Sequence, residues 1–262
     1  MADHRKVPWF LSIPVIPNFT PLHHQSVSLL YSSSGFLNFD NTNFVKMKKY
    51  VQFIMLIIVL SSCTSQNNKW RMLFNGKDLS GWQQVGPGEF VVEDGLLKTV
   101  GGMGVILYPA EKFSNVIIHV VYKVKDNDCN SGVFIRIPEK PADEWAAVNT
   151  GYEVQIDNGT RHVGGEYHCT GVLYSLTKAL SHPQKQPGEW NTMEITLDGQ
   201  KTIVFVNGEK VTDFNEGDPV QPKTRDFEPE RGPRPESGYI GLQNHDALST
   251  VYFKEVAVKP LK

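Results

Sequence analysis

The chain has 262 residues, 40% of them hydrophobic and 11% aromatic, with 26 Lys and Arg against 28 Asp and Glu, a net charge of −2 and a pI near 6.4. This balance leaves no basic patch or stripe of the kind nucleic acid requires, so no nucleic-acid partner is expected. Three cysteines are too few for a disulfide scaffold, and no glycine-rich phosphate loop sits between a strand and a helix.

Residues 1–46 are rich in Pro and Ser, show no period, and precede a second start at Met47. They are expected to be an extension ahead of the real beginning. Residues 47–62 then read as a signal peptide. Met47-Lys48-Lys49 is basic, residues 50–60 are an apolar run, and Leu60-Ser61-Ser62-Cys63 follows at once. The run is too short for a bilayer helix, which needs about 20 apolar residues. Its ending resembles the bacterial lipobox, which implies lipidation of Cys63 as the mature N-terminus and a polar tether over residues 63–69. The expected location is therefore outside the cytoplasm, lipid-anchored to the outer membrane. No acidic residue directly follows Cys63, which points to the periplasmic face.

From residue 70 to residue 262 the period is two, and one domain is expected. Residues 90–99 read as a hairpin around Asp94-Gly95, and residues 115–124 as a long β-branched core strand. Residues 131–137 and 152–157 are further strands, with one helical turn over 142–147 between them. Residues 193–197, 202–206 and 209–213 form a meander turned at Asp198-Gly199 and Asn207-Gly208. Residues 218–236, charged and proline-rich, are a long loop of the sort that carries function or is disordered. Residues 238–243 and 251–258 close the chain. Short strands without helices predict an all-β sandwich of two antiparallel sheets, a jelly roll.

Strand alternation then sorts the polar residues. In residues 152–157, Tyr152, Val154 and Ile156 face the core, so Glu153, Gln155 and Asp157 share the outer face. By the same parity Phe134 and Arg136 share a face, and so do Gln243 and His245. On neighbouring strands these would gather a carboxylate, a cation, an imidazole and amides into one patch, with Trp145 and Tyr174 as walls. An ordinary solvated face favours Thr, Lys, Ser and Glu spread without clustering, whereas this one is richer in Gln, His and Arg. Glu153 and Asp157 lie four apart on one strand, roughly 13 Å, which is too far for a retaining carboxylate pair. His162 and His168, near Cys169, read as loop residues whose spacing matches no metal pattern. No cofactor or metal is assigned. Cys129 and Cys169 could pair in an oxidising compartment.

The ordered motifs carry a resemblance. Leu73-Phe74-Asn75-Gly76-Lys77-Asp78-Leu79-Ser80-Gly81-Trp82 opens the domain. Asn130-Ser131-Gly132-Val133-Phe134-Ile135-Arg136 and Gly151-Tyr152-Glu153-Val154-Gln155-Ile156-Asp157 follow. Thr170-Gly171-Val172-Leu173-Tyr174, Gly188-Glu189-Trp190-Asn191, Val206-Asn207-Gly208 and Gly241-Leu242-Gln243-Asn244-His245 complete the set. Together, over residues 70–262, they resemble the 3-keto-disaccharide hydrolase family. The resemblance implies a concanavalin-like jelly roll and cleavage of glycosides already oxidised to a ketone at C3. It implies a site of Arg136, Glu153, Gln155, Gln243 and His245.

A C3 ketone acidifies the C2 proton, so a positioned base can start an elimination at C1 that water later completes. His245 or Glu153 would be the base, and Arg136 would clamp the enolate. Gln155, Gln243 and Asp157 would read hydroxyls, with Phe134, Tyr174 and Trp145 beside them. A carbohydrate-binding module without catalysis, or a conventional endo-glycanase, are the alternatives on the same fold.

Overall fold

Two Asx-Gly pairs set the tightest turns. Asp94 and Gly95 have φ of 52° and 78°, and Asn207 and Gly208 have 49° and 84°, the double positive φ of the hairpin turn that suits twisted strands. The computed structural model describes residues 69–159 and 165–261. The expectations for residues 1–46 and 47–62, for Cys63 and its tether to residue 68, and for His162 lie outside the described residues.

In chain order the strands are β1 (Arg71–Met72), β2 (Gln83–Val85), β3 (Glu89–Glu93), β4 (Leu96–Val100), β5 (Gly104–Phe113), β6 (Val116–Val124) and β7 (Asn130–Ile137). A short helix, α1 (Glu144–Thr150), precedes β8 (Tyr152–Asp157). The chain continues with β9 (Asn191–Asp198), β10 (Lys201–Val206), β11 (Glu209–Asn215), β12 (Gly238–Asn244) and β13 (Val251–Pro260). One sheet runs β11-β10-β9-β6-β13-β4-β3, with β1 also on β13, and the other runs β2-β5-β12-β7-β8. The strand pairs are antiparallel, and the architecture is the expected jelly-roll sandwich.

The core lies between the sheets. Ile118, Val120, Met193, Ile195 and Val256 from the larger sheet meet Val133, Ile135, Tyr152, Val154, Ile156 and Leu242 from the smaller one in a single buried cluster. Each fully buried aliphatic side chain stabilises the fold by roughly 1.5–3 kcal/mol. Because Tyr152, Val154 and Ile156 are committed inward, Glu153, Gln155 and Asp157 point outward, as their alternation requires. The outer face is not solvated, however. Every residue of β8 is buried. The segment after β8 runs along it and makes an isolated bridge, Leu173 to Val154. Gln155 N–H donates to Val172 O at 3.0 Å, Gly171 N–H to Gln155 O at 2.8 Å and Tyr174 N–H to Glu153 O at 2.9 Å.

Arg136 breaks the parity. Its φ is 55°, and β7 advances from Phe134 to Ile137 while β12 steps only from Gly241 to Tyr239. The extra residue on β7 is a β-bulge. Phe134 and Ile137 therefore both lie on the outer side, whereas the Arg136 side chain turns into the end of the sandwich, fully buried. There its guanidinium donates to Gly199 O at 2.9 Å, Lys201 O at 3.1 Å, Pro235 O at 3.1 Å and Glu236 O at 3.0 Å, with Thr202 Oγ1 at 3.4 Å. The residue expected to clamp substrate instead ties the β9–β10 turn to the end of the long loop before β12.

Candidate functional site

The outer face of the smaller sheet carries a cavity of about 500 Å³. Its floor comes from three adjacent strands. β8 supplies Glu153, Gln155 and Asp157, β7 supplies Asn130, and β12 supplies Gln243. Gly132, which pairs with Gln155 across the ladder, lies between them. Any side chain at Gly132 would overlap the Glu153 carboxyl, with Oε1 closest. The missing Cβ is what lets the carboxyl lie flat on the sheet beside Gln243.

Hydrogen bonds order this floor. Gln155 Nε2 donates to Asn130 Oδ1 at 3.2 Å, Asn130 N–H donates to Ser249 Oγ at 2.9 Å, and Ser131 Oγ donates to Gln243 O at 2.6 Å. Glu153 is only 6% exposed. Burial pushes its carboxyl up to about 8, a hydrogen bond from Gln243 opposes this, and the charge of Asp157 adds to it. Glu153 Oε1, Gln155 Oε1 and Gln243 Oε1 are buried acceptors without a partner. Buried acceptors of this kind are satisfied in nearly all native structures, so three together mark a floor that awaits hydrogen-bond donors.

The walls hold the titratable groups. His245, just past β12, directs Nδ1 to Asp246 Oδ2 at 3.0 Å. Asp246 is itself fixed by N–H groups of Leu248 and Ser249, both at 2.8 Å. Burial would raise the Asp246 carboxyl, but bonds from His245 and from those two residues hold it below its ordinary value. On the far side, beyond β8, His168 lines the cavity with its ring 4.7 Å from that of Tyr174. Residues 216–237, between β11 and β12, add Arg225 and Phe227. Arginines hold this loop. Arg231 donates to Gln221 O at 2.8 Å and Ser175 O at 3.1 Å, and Arg234 to Gly151 O at 3.0 Å. α1 brings Trp145 to the rim, its first turn capped by Asp143 Oδ1, which accepts from Trp145 and Ala146 N–H at 3.0 and 2.8 Å.

Of the residues expected from sequence, the structure gathers Glu153, Gln155, Asp157, Gln243, His245, Tyr174 and Trp145 around this one cavity. Arg136 is not among its lining, for the reason given above. Phe134 is not either. It is completely buried beneath α1, in a small cluster with Val105, Leu107, Ile137, Ala147 and Val148. Cys129 and Cys169 are separate thiols, hydrogen-bonded to Asp126 Oδ1 at 3.3 Å and to Glu166 O at 3.5 Å. Among the described residues, no three His, Cys, Asp or Glu side chains form a metal cluster. Asn130 was within reach of the same parity argument that placed Glu153. His168, Arg225 and Phe227 belong to loops whose path no periodicity fixes.

Comparison with known proteins agrees with this fold. Residues 69–259 match a family model described as a 3-keto-alpha-glucoside-1,2-lyase-like domain. Two solved structures of candidate glycosyl hydrolases from Parabacteroides distasonis resemble the chain. One is 27% identical with a TM-score of 0.61, covering 74% of this chain and 100% of that one. The other is 26% identical with a TM-score of 0.60, covering 74% and 94%. A Bacillus subtilis protein of unknown function with a galectin-like fold shares the architecture at 14% identity, with a TM-score of 0.53 and coverage of 73% and 94%. None of the curated proteins matches the chain.

Proposed function

Because the chain belongs to the 3-keto-alpha-glucoside-1,2-lyase-like family, and is thereby a carbohydrate-active, glycosyl hydrolase-like protein, we propose that it breaks the glycosidic bond of sugars that carry a ketone at C3. The C2–H bond breaks first and its electron pair forms the enolate. The enolate then expels the oxygen at C1, leaving a C1=C2 double bond conjugated with the C3 carbonyl. The observation that carries this reading is the Glu153 carboxyl, buried on the cavity floor above Gly132 with Oε1 unpartnered. A general base must line the site within reach of the proton it takes and hold a pKa near the operating pH, and burial has raised this carboxyl to about 8.

The Gln155 amide donates one N–H to Asn130 and the Gln243 amide one to Glu153. Each amide keeps a second N–H and its carbonyl oxygen, so both can donate to and accept from sugar hydroxyls on the cavity floor. The enolate oxygen at C3 needs donors, and Arg225 in the wall supplies a guanidinium. Arg225 thus takes the part that parity had given to Arg136. His245 has a side chain 42% exposed and stands where an aglycone can leave. With Nδ1 engaged by Asp246, its Nε2 is the atom to hand a proton to the departing oxygen.

Offering the protein a 3-keto-glycoside and its unoxidised parent tests the reading. Cleavage of the ketone alone, slowed by deuterium at C2, is expected. Equal cleavage of the parent would make it a conventional glycanase, and binding of both without turnover would make it a binding module that uses Trp145 and Phe227 as platforms. Gly132→Ala should lower kcat about 10²-fold by displacing the base by about an ångström, and should cost about 1–3 kcal/mol of stability by overpacking. Unchanged kcat would detach the glycine from the site.

We further propose, from residues 47–69 of the sequence, that the chain is exported, that Cys63 carries the lipid, and that its membrane is the outer membrane on its periplasmic face. Cys63→Ser should then move the protein from the membrane fraction to the soluble fraction, and retention of the variant in the membrane would discard the anchor.

A further inference from the structure

His168, which lines the cavity, has a buried carboxylate behind it, Glu228, and the elimination uses neither. His168 Nε2 lies 3.8 Å from Glu228 Oε1, with side chains 9% and 1% exposed. This is longer than a hydrogen bond, yet close enough for the carboxylate to stabilise an imidazolium. Glu228 is built for that task. Thr224 N–H donates to it at 2.9 Å, Thr224 Oγ1 at 2.8 Å and Arg231 Nη2 at 3.0 Å. Although burial opposes it, these bonds hold its carboxyl below the ordinary value, so it stays charged.

The two imidazoles stand on opposite sides of Glu153. His245 follows β12, two strands from β8 in the sheet, whereas His168 precedes the segment that pairs with the other edge of β8. Their surroundings differ as the two halves of a hydrolysis require. His245 is 42% exposed at the side chain, open to solvent and to a departing group, whereas His168 is enclosed by Tyr174 and the long loop. A leaving group needs an exit. A nucleophilic water needs a fixed, sheltered place.

We propose that His168, backed by Glu228, is the base that activates water for addition to the unsaturated product, so that the chain completes a hydrolysis and does not stop as a lyase. This rests on the elimination proposed above. The water oxygen bonds to C1 as His168 takes its proton. The C1=C2 pair shifts to C2=C3 and the charge goes to the C3 oxygen beside Arg225. Protonated Glu153 then returns to C2 the proton it removed, and the ketone re-forms. One proton has left His245 and one has arrived on His168, and exchange with solvent resets both. Water is the only co-reactant.

The two halves can be assayed separately. The conjugated 2-hydroxy-3-keto sugar with its C1=C2 bond, prepared independently, is given to the wild-type protein and to His168→Asn. Disappearance of its ultraviolet absorption is followed against the uncatalysed background. The 3-keto-glycoside is given to both in parallel. Wild type should hydrate the enone. His168→Asn should lose about 10²-fold or more of that rate while still consuming the glycoside, so that the absorbing enone accumulates. A merely structural role would lower both halves together and would overturn the proposal, as would hydration unimpaired in the variant. A wild type that consumes the glycoside but never hydrates the enone would overturn it as well and leave the elimination standing. A wild type that consumes no ketone would instead sink the elimination itself.

Discussion

Glu153→Gln is expected to lower turnover about 10³-fold and, above pH 8, to make the protein more stable. Both effects have one cause. In the unfolded chain this carboxyl has its ordinary value of 4.5, and in the fold burial has raised it to about 8. The folded state therefore holds the proton more tightly than the unfolded state. That preference stabilises the fold fully below pH 4.5. It declines as pH rises from there, and is gone once pH has passed through about 8. For a shift of this size the loss is on the order of 5 kcal/mol. The amide of the variant cannot ionise, so this slope should be missing from its stability curve. Activity needs the deprotonated base and should rise with pH to a half-maximum near 8 in the wild type. Urea midpoints of both proteins at pH 5, 7 and 9 would check the first effect. Parallel stability curves, or a variant with wild-type turnover, would show that Glu153 is not the sequestered base.

Arg136→Met should produce the largest loss of stability of any single change considered, about 3–5 kcal/mol. The guanidinium is completely buried and donates to four backbone carbonyls as well as lying beside Thr202. Removing it takes the shared donor from four carbonyls that join the β9–β10 turn to the loop before β12, and each part-buried group left unsatisfied costs about 1–3 kcal/mol. Methionine fills part of the space but has no donor to offer them. Because Arg136 lies outside the cavity, kcat per folded molecule, measured in the cold where the variant remains folded, should stay close to that of the wild type. Normal stability with lost turnover would return the residue to the site and refute the bulge.

These two residues also show where sequence reasoning succeeds and where it stops. Glu153, Gln155 and Asp157 were legible because β8 alternates without interruption. Three apolar partners must face the core, and the pleat does the rest. Arg136 obeyed the same rule on paper, but one residue with φ of 55° slips the register, and every side chain beyond it changes face. Nothing in the local composition announces a bulge at an arginine. Phe134 was placed on the correct side and still misread, because its face is covered by α1, whose packing onto β7 is a tertiary fact. The long loop was legible as a functional candidate by its length alone. Which of its residues enter the cavity depends on arginine contacts to Ser175, Gly151 and Gln221 that join positions distant in the chain. The sandwich itself was the most legible feature, since turn chemistry, period and strand length all agreed.

The segment that runs along β8 has a consequence beyond the cavity wall. β8 ends the smaller sheet, and a terminal strand with open N–H and C=O groups is a template for pairing with another molecule. Leu173 bridges Val154, and the backbone of Gly171, Val172 and Tyr174 occupies the hydrogen-bonding positions of Glu153 and Gln155. The strand that bears the carboxyl is thereby sealed against intermolecular β-addition, so the same stretch of chain keeps the protein from polymerising through the strand it depends on most.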